Sequence, residues 1–166
     1  MIEALYAEVE TIHAADIDRR GLSYFDYIIR VVDLVGESAK VVALLRDVWE
    51  IHPEYPTLLW STINQESLTA LKCLMAGRYP SKDEQYTAIS KNILALEVTL
   101  AVVWDNTRTK NLDGLDSSRV DKILRKYGSI LGKLNIGRDV LSSYRDNFSR
   151  RTLDHSPCFD IIISNL

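Results

Sequence analysis

Residues 93–104 read ILALEVTLAVVW, and the reading of this run decides the fold. Leu94, Leu96, Val98, Leu100, Val102 and Val103 cannot share one face of a helix. A helix that is apolar nearly all round is buried on all sides, so this one is expected at the centre of a helical bundle. It forms the second half of a helix over 82–107. Ser81-Lys82-Asp83-Glu84 is a capping box that starts that helix, with Ser81 as N-cap and Glu84 reaching back.

Upstream, the spacing predicts three helices. Residues 2–18 carry Ile2, Leu5, Val9 and Ile12 on one stripe. Gly21 breaks the pattern, and Ser23 caps a long helix over 24–51. One apolar stripe of that helix runs from Ile28 to Trp49, and a second takes in Val41, Leu44, Val48 and Ile51. Two stripes imply contact on two sides, with neighbouring helices or with another subunit. Gly36 is a place where the helix can bend. His52-Pro53-Glu54-Tyr55-Pro56 ends it, because residues before proline avoid the α region. A third helix follows over 57–76, with Leu58, Leu59, Ile63, Leu68, Leu71 and Leu74 as core candidates and Gly77 as its stop.

Downstream, residues 108–116 read as a loop. Ser117 or Ser118 caps a fifth helix that runs to Leu134. Asn135 and Gly137 separate it from a sixth over 138–152. CFDIIISNL, after Pro157, reads as an extended segment docked on the bundle. The expected architecture is one all-α domain over 1–166, an up-and-down bundle of five to six helices with a short extended C-terminal tail.

The composition is that of an ordinary globular protein, with 46% apolar and 26% charged residues and a net charge of −3. That balance argues against a general nucleic-acid binder, and no DNA partner is expected. It conceals an asymmetry. Residues 1–106 hold 9 basic and 16 acidic side chains, net −7, and residues 107–166 hold 11 and 7, net +4. The basic third, with Arg119, Lys122, Arg138 and Arg145, either meets an acidic partner or anionic lipid or is simply a solvated face. No stretch reaches about 18 apolar residues, and residues 1–18 carry five acids and no apolar signal region. The expectation is a soluble, reduced, cytoplasmic protein. Of the two cysteines, Cys73 falls in an apolar helical pattern and is expected to be buried.

Chemical motifs are sparse. G-x-x-x-x-G-K-[ST], G-x-G-x-x-G and G-x-S-x-G are all missing, which removes the nucleotide, dinucleotide and serine-hydrolase readings. Glu10-Thr11-Ile12-His13 has the spacing of a di-iron ligand pair, but no second Glu-x-x-His exists. His13 is expected at a helix surface or boundary. The three histidines stand far apart, so no metal and no cofactor are expected. Trp49, Trp60 and Trp104 all fall in apolar patterns and read as core.

Arg150 and His155, with four residues between them, match the Arg-x4–6-His signature of HEPN-type ribonucleases. There the histidine would serve as acid or base at a ribose 2′-hydroxyl and the arginine would hold phosphate. Arg46 and His52 fit as well, and with 12 Arg and 3 His a shuffled chain has roughly 0.65 such matches. The competing reading is a charged helix end, with Arg150 and Arg151 at its C-terminal dipole.

Residues 28–74 are similar to the start of fungal HeLo-like N-terminal domains. Lys40-Val41, the turn at 52–56, Glu66 and Leu68, Leu71 and Leu74 fall in the family's order. ALEVTLAVVWDN (95–106) resembles its next helix, and Leu112-Asp113-Gly114-Leu115 precedes a basic helix as it does there. The resemblance spans roughly 25–150 and implies a helical signalling or effector module. Some relatives permeabilise membranes through their first helix, and the five acids of residues 1–18 depart from that pattern. The leading expectation is therefore a non-enzymatic module that acts by protein–protein contact or self-association through Val41, Leu44, Val48 and Ile51. The alternative is a ribonuclease, or an inactive relative, using Arg150 and His155 on RNA.

Overall fold

The computed structural model describes residues 2–55 and 63–166. The chain is all-α, and the described residues form ten α-helices and no strand. They are α1 (Ile2–Ile12), α2 (Tyr24–Leu34), α3 (Lys40–Ile51), α4 (Gln65–Leu74), α5 (Lys82–Lys91), α6 (Ile93–Thr107), α7 (Thr109–Leu112), α8 (Ser117–Leu134), α9 (Arg138–Thr152) and α10 (Pro157–Asn165).

The apolar run lies where its composition requires. Leu94, Ala95, Leu96, Val98, Leu100, Ala101, Val102, Val103 and Trp104 of α6 are all buried. α2, α3, α4, α5, α8, α9 and α10 all pack on α6, and α1 packs on α3. At one end of α6, Trp104 meets Phe148 of α9 and Phe159 of α10, with ring centroids 5.8 and 5.4 Å away. The Phe159 contact is edge-on and the Phe148 contact tilted, and such aromatic contacts add to simple burial.

Six expected elements differ. The helix expected over 2–18 ends at Ile12, and of the helix expected over 57–76 only Gln65–Leu74 is helical among the described residues, with Asn64 as its N-cap. The helix expected over 24–51 is two. Val35 and Gly36 are extended, and a 3-10 turn at Glu37–Ala39 leads into α3. The Gly36 N–H at that break donates to Glu97 Oε1 of α6 at 2.8 Å. The helix expected over 82–107 is also two, bent by 113° at Asn92. Asn92 ends α5 and caps α6, its side chain accepting from the Ala95 N–H at 3.0 Å. Residues 108–116 contain the short α7. The segment expected to be an extended tail is α10, started by Ser156 as N-cap and Pro157 in its first turn. Ser-Pro is a helix-start signal, and the β-branched run behind it obscured that signal. α10 buries Cys158, Phe159 and Ile163.

Several predicted boundaries agree. Ser23 and Ser81 are N-caps, α3 stops at Ile51 with His52 as its C-cap, and α8 and α9 have the expected limits. The cap of α8 is Asp116, accepting from the Arg119 N–H at 2.9 Å, in place of Ser117 or Ser118. Leu58, Leu59 and Trp60 lie outside the described residues. Cys73 is half-buried, and Cys158 is the buried thiol.

Candidate functional site

The loop between α1 and α2 is built by one side chain. Asp18 Oδ1 accepts the backbone N–H groups of Arg20 and Leu22 at 2.8 and 3.0 Å, and the Asp18 N–H donates to the Leu22 carbonyl at 2.7 Å. Gly21 takes φ +77°, which glycine reaches without steric cost. This closed loop presents Arg19 and Arg20 over a cleft of about 340 Å³.

Helices supply the rest of the cleft. Tyr24, Tyr27 and Arg30 come from α2, Arg46, Asp47 and Glu50 from α3, Asp105 and Asn106 from α6, and Lys126 and Tyr127 from α8. Five basic side chains thus face four acidic ones. Three of the acids are committed to arginines. Asp105 is 2% exposed and holds Arg30 through contacts of 3.2–3.4 Å, with Arg108 at 3.3 Å. Asp18 pairs with Arg20 at 3.2 Å, and Asp47 with Arg46 at 3.0 Å. Burial works against the charge of Arg46, but Asp47 and the Tyr27 hydroxyl raise its pKa above the ordinary arginine value. Arg19 and Lys126 have no carboxylate partner among the described residues. Arg19 donates to the Asn106 carbonyl at 2.9 Å, and Lys126 lies over the Tyr127 ring. Burial raises the pKa of Tyr24 and Tyr27 and pushes Tyr127 up to about 12, so all three present neutral hydroxyls.

Beside the cleft, a second cluster joins histidines 39 positions apart. His13 Nδ1 and His52 Nε2 lie 2.7 and 2.6 Å from the same oxygen, Asp16 Oδ2. His13 is 1% exposed, not at a surface or boundary as expected, and its ring stacks on Tyr24 at 5.3 Å. The hydrogen bond that His52 donates to Asp16 raises the pKa of His52 against the opposing effect of burial. The bond from His52 lowers that of Asp16, also against burial.

The residues singled out by sequence are dispersed. Leu44 and Val48 are 0% and 3% exposed within the chain's own core, so the wide apolar face of α3 is spent on internal packing. Val41 is half-buried, and Ile51 is exposed at the rim of the cleft. Arg119, Lys122 and Arg138 are exposed and outside the cleft, and Arg145 pairs with Asp146 at 2.9 Å. Arg150 Nε donates to the Asp146 carbonyl of its own helix, whereas the His155 ring contacts Thr109 Oγ1 at 3.0 Å. Arg151 does more than meet a helix dipole. Its Nη1 donates to the carbonyls of Asp33 and Val35, both at 3.1 Å, and so caps the end of α2.

Sequence reasoning missed Arg19, Arg20, Arg30, Lys126 and the buried Asp105. The only local signal was that Asp105 ends an apolar run, a place where an acid must find a partner. Neither a family model nor a curated protein matches this chain.

Proposed function

We propose that the chain is a non-enzymatic binding module that takes an acidic segment of a partner protein into the cleft at Arg19 and Lys126. This keeps the interaction role that the HeLo-like resemblance implies and moves its surface from the apolar stripe of α3 to the polar cleft. The observation that carries the reading is the pair of cations without carboxylate partners among the described residues, set on a frame of arginines already fixed by buried acids. A frame of this kind orders nothing further on binding, so a carboxylate arriving at Arg19 gains charge-assisted hydrogen bonds at low entropic cost. Tyr24, Tyr27 and Tyr127 add neutral donors and apolar ring faces.

The test is fluorescence anisotropy of a labelled octaglutamate peptide against the full chain. Saturable binding is expected that weakens with salt and falls at least about tenfold in Arg19→Glu/Lys126→Glu. An octalysine peptide is expected not to bind. Unchanged affinity in the double variant would reject the cleft. RNA cleavage lost in Arg150→Ala and His155→Ala would replace this reading with the nuclease one.

A further inference from the structure

The geometry points to a divalent transition-metal site formed by His13, Asp16 and His52, a cluster separate from the cations of the cleft. One ligand atom from each of the three residues lies within 4.8 Å of the others. Two imidazoles and one carboxylate form a donor set suited to Zn²⁺ and other late first-row divalent ions. No general property of helical bundles requires that two histidine nitrogens and a carboxylate oxygen converge.

The three groups are held from outside the cluster. His13 ends a turn at the C-terminal end of α1, its N–H donating to the Val9 carbonyl at 3.0 Å, and its ring is clamped against Tyr24. Asp16 is fixed by two backbone bonds of 3.0 Å each, to the His13 carbonyl and from the Tyr24 N–H. His52 is the C-cap of α3, and its Nδ1 faces Glu54 Oε1 at 3.3 Å. With Nδ1 held by Glu54, a metal ion that displaces the Nε2 proton now shared with Asp16 Oδ2 finds the Nε2 lone pair aimed at the cluster. This carboxylate–histidine arrangement is the one that orients metal-binding histidines.

Among the described residues the buried ring of His13 has no hydrogen-bond partner at Nε2, so Nδ1 is the ring atom held toward the cluster. The Asp16 and His52 side chains are 25% and 20% exposed, which leaves an open side for water as a fourth ligand. Metal–ligand bonds of about 2.0–2.2 Å in tetrahedral geometry place donors roughly 3.3 Å apart. The nitrogens therefore part from Asp16 by some tenths of an ångström on loading, a shift within reach of side-chain rotation at the partly exposed Asp16 and His52. A bound ion would tie the ends of α1 and α3 together.

The experiment is titration of the EDTA-treated full chain with Zn²⁺, followed by thermal unfolding, and with Co²⁺, followed by visible absorption. One equivalent is expected to bind, to raise the Tm, and to give Co²⁺ bands of a nitrogen–oxygen site. His52→Ala and Asp16→Asn are expected to lower affinity at least about tenfold, and Glu54→Gln by a factor of about ten through the orientation of His52. His52 and Asp16 are partly exposed, so these variants fold even where a change at buried His13 does not. Arg19→Glu/Lys126→Glu is expected to bind metal as the unaltered chain does. No saturable one-to-one binding, or equal binding in His52→Ala and Asp16→Asn, would overturn the proposal.

Discussion

Asp105 is the residue on which the interior of the cleft depends. Its carboxylate accepts from Arg30 and from Asn111 Nδ2, the latter at 3.1 Å, while Arg108 pairs with it. Removing one partner of a buried charge network leaves the others desolvated and unpaired. Asp105→Ala is thus expected to cost about 3–5 kcal/mol in urea unfolding, and an effect below 1 kcal/mol would show the network to be incidental. Leu153 represents the opposite case. It takes φ 52° at the end of α9 and is 92% exposed, so its side chain gains little and strains the backbone. Leu153→Gly is expected to stabilise the protein by roughly 1 kcal/mol, read as a higher urea midpoint at unchanged slope. Cys158 gives a pH dependence. Burial pushes its pKa from 9.0 to about 12. The unfolded thiol ionises first as pH rises, so the unfolded state loses its proton while the native state keeps it. Stability is fully present below about pH 9 and falls between pH 9 and 12. Tyr127 adds to the upper part of that window, having risen from 10.0 to about 12. Cys158→Ala is expected to flatten the decline above pH 9, and at pH 8 a thiol reagent is expected to modify half-buried Cys73 well before Cys158.

At the scale of elements, three connections show how polar groups placed the breaks. Asn92 serves α5 and α6 at once, and Asn92→Ala is expected to cost about 1 kcal/mol through loss of the α6 cap. Glu97 sits inside the apolar run, where its half-buried carboxylate accepts from the Gly36 N–H at the α2 break. Gln85, buried at 6% exposure, donates to the carbonyls of Leu74 and Cys73 at the end of α4, at 3.0 and 3.4 Å. Helix ends leave such carbonyls without internal partners, and a buried side chain from a neighbouring helix satisfies them here. α10 is held by Phe159 and by the buried 2.6 Å bond between Ser156 and Thr107. Phe159→Ala is expected to cost about 3–5 kcal/mol, since it opens a cavity beside Trp104 and Phe148. A loss under 1 kcal/mol would mean that α10 is a peripheral attachment.

For the whole molecule, α6 is the axis on which the other elements converge, and α1 reaches the bundle through α3. Local stability should follow that arrangement. Amides of the second half of α6 are expected to exchange only through global unfolding, and those of α1 through smaller openings. Native-state hydrogen exchange reads the difference directly, and equal protection of α1 and α6 would contradict it.

The sequence by itself determined the fold class, the central apolar run at 93–104, buried apart from exposed Ile93 and half-buried Glu97 and Thr99, the ends of α8 and α9 and several caps. Periodicity and capping act over three to seven residues and are legible wherever the chain is read. Only the tertiary structure decided where the long apolar patterns break and which polar groups meet. An apolar run shows that a segment is buried, but not that Asn92 turns it by 113° or that Glu97 serves a distant backbone. Arg30 meets Asp105 across 75 positions, His52 meets Asp16 across 36, and Arg151 reaches Asp33 across 118. These encounters are set by how the helices pack around α6, and the cleft and the histidine cluster exist only once that packing has formed.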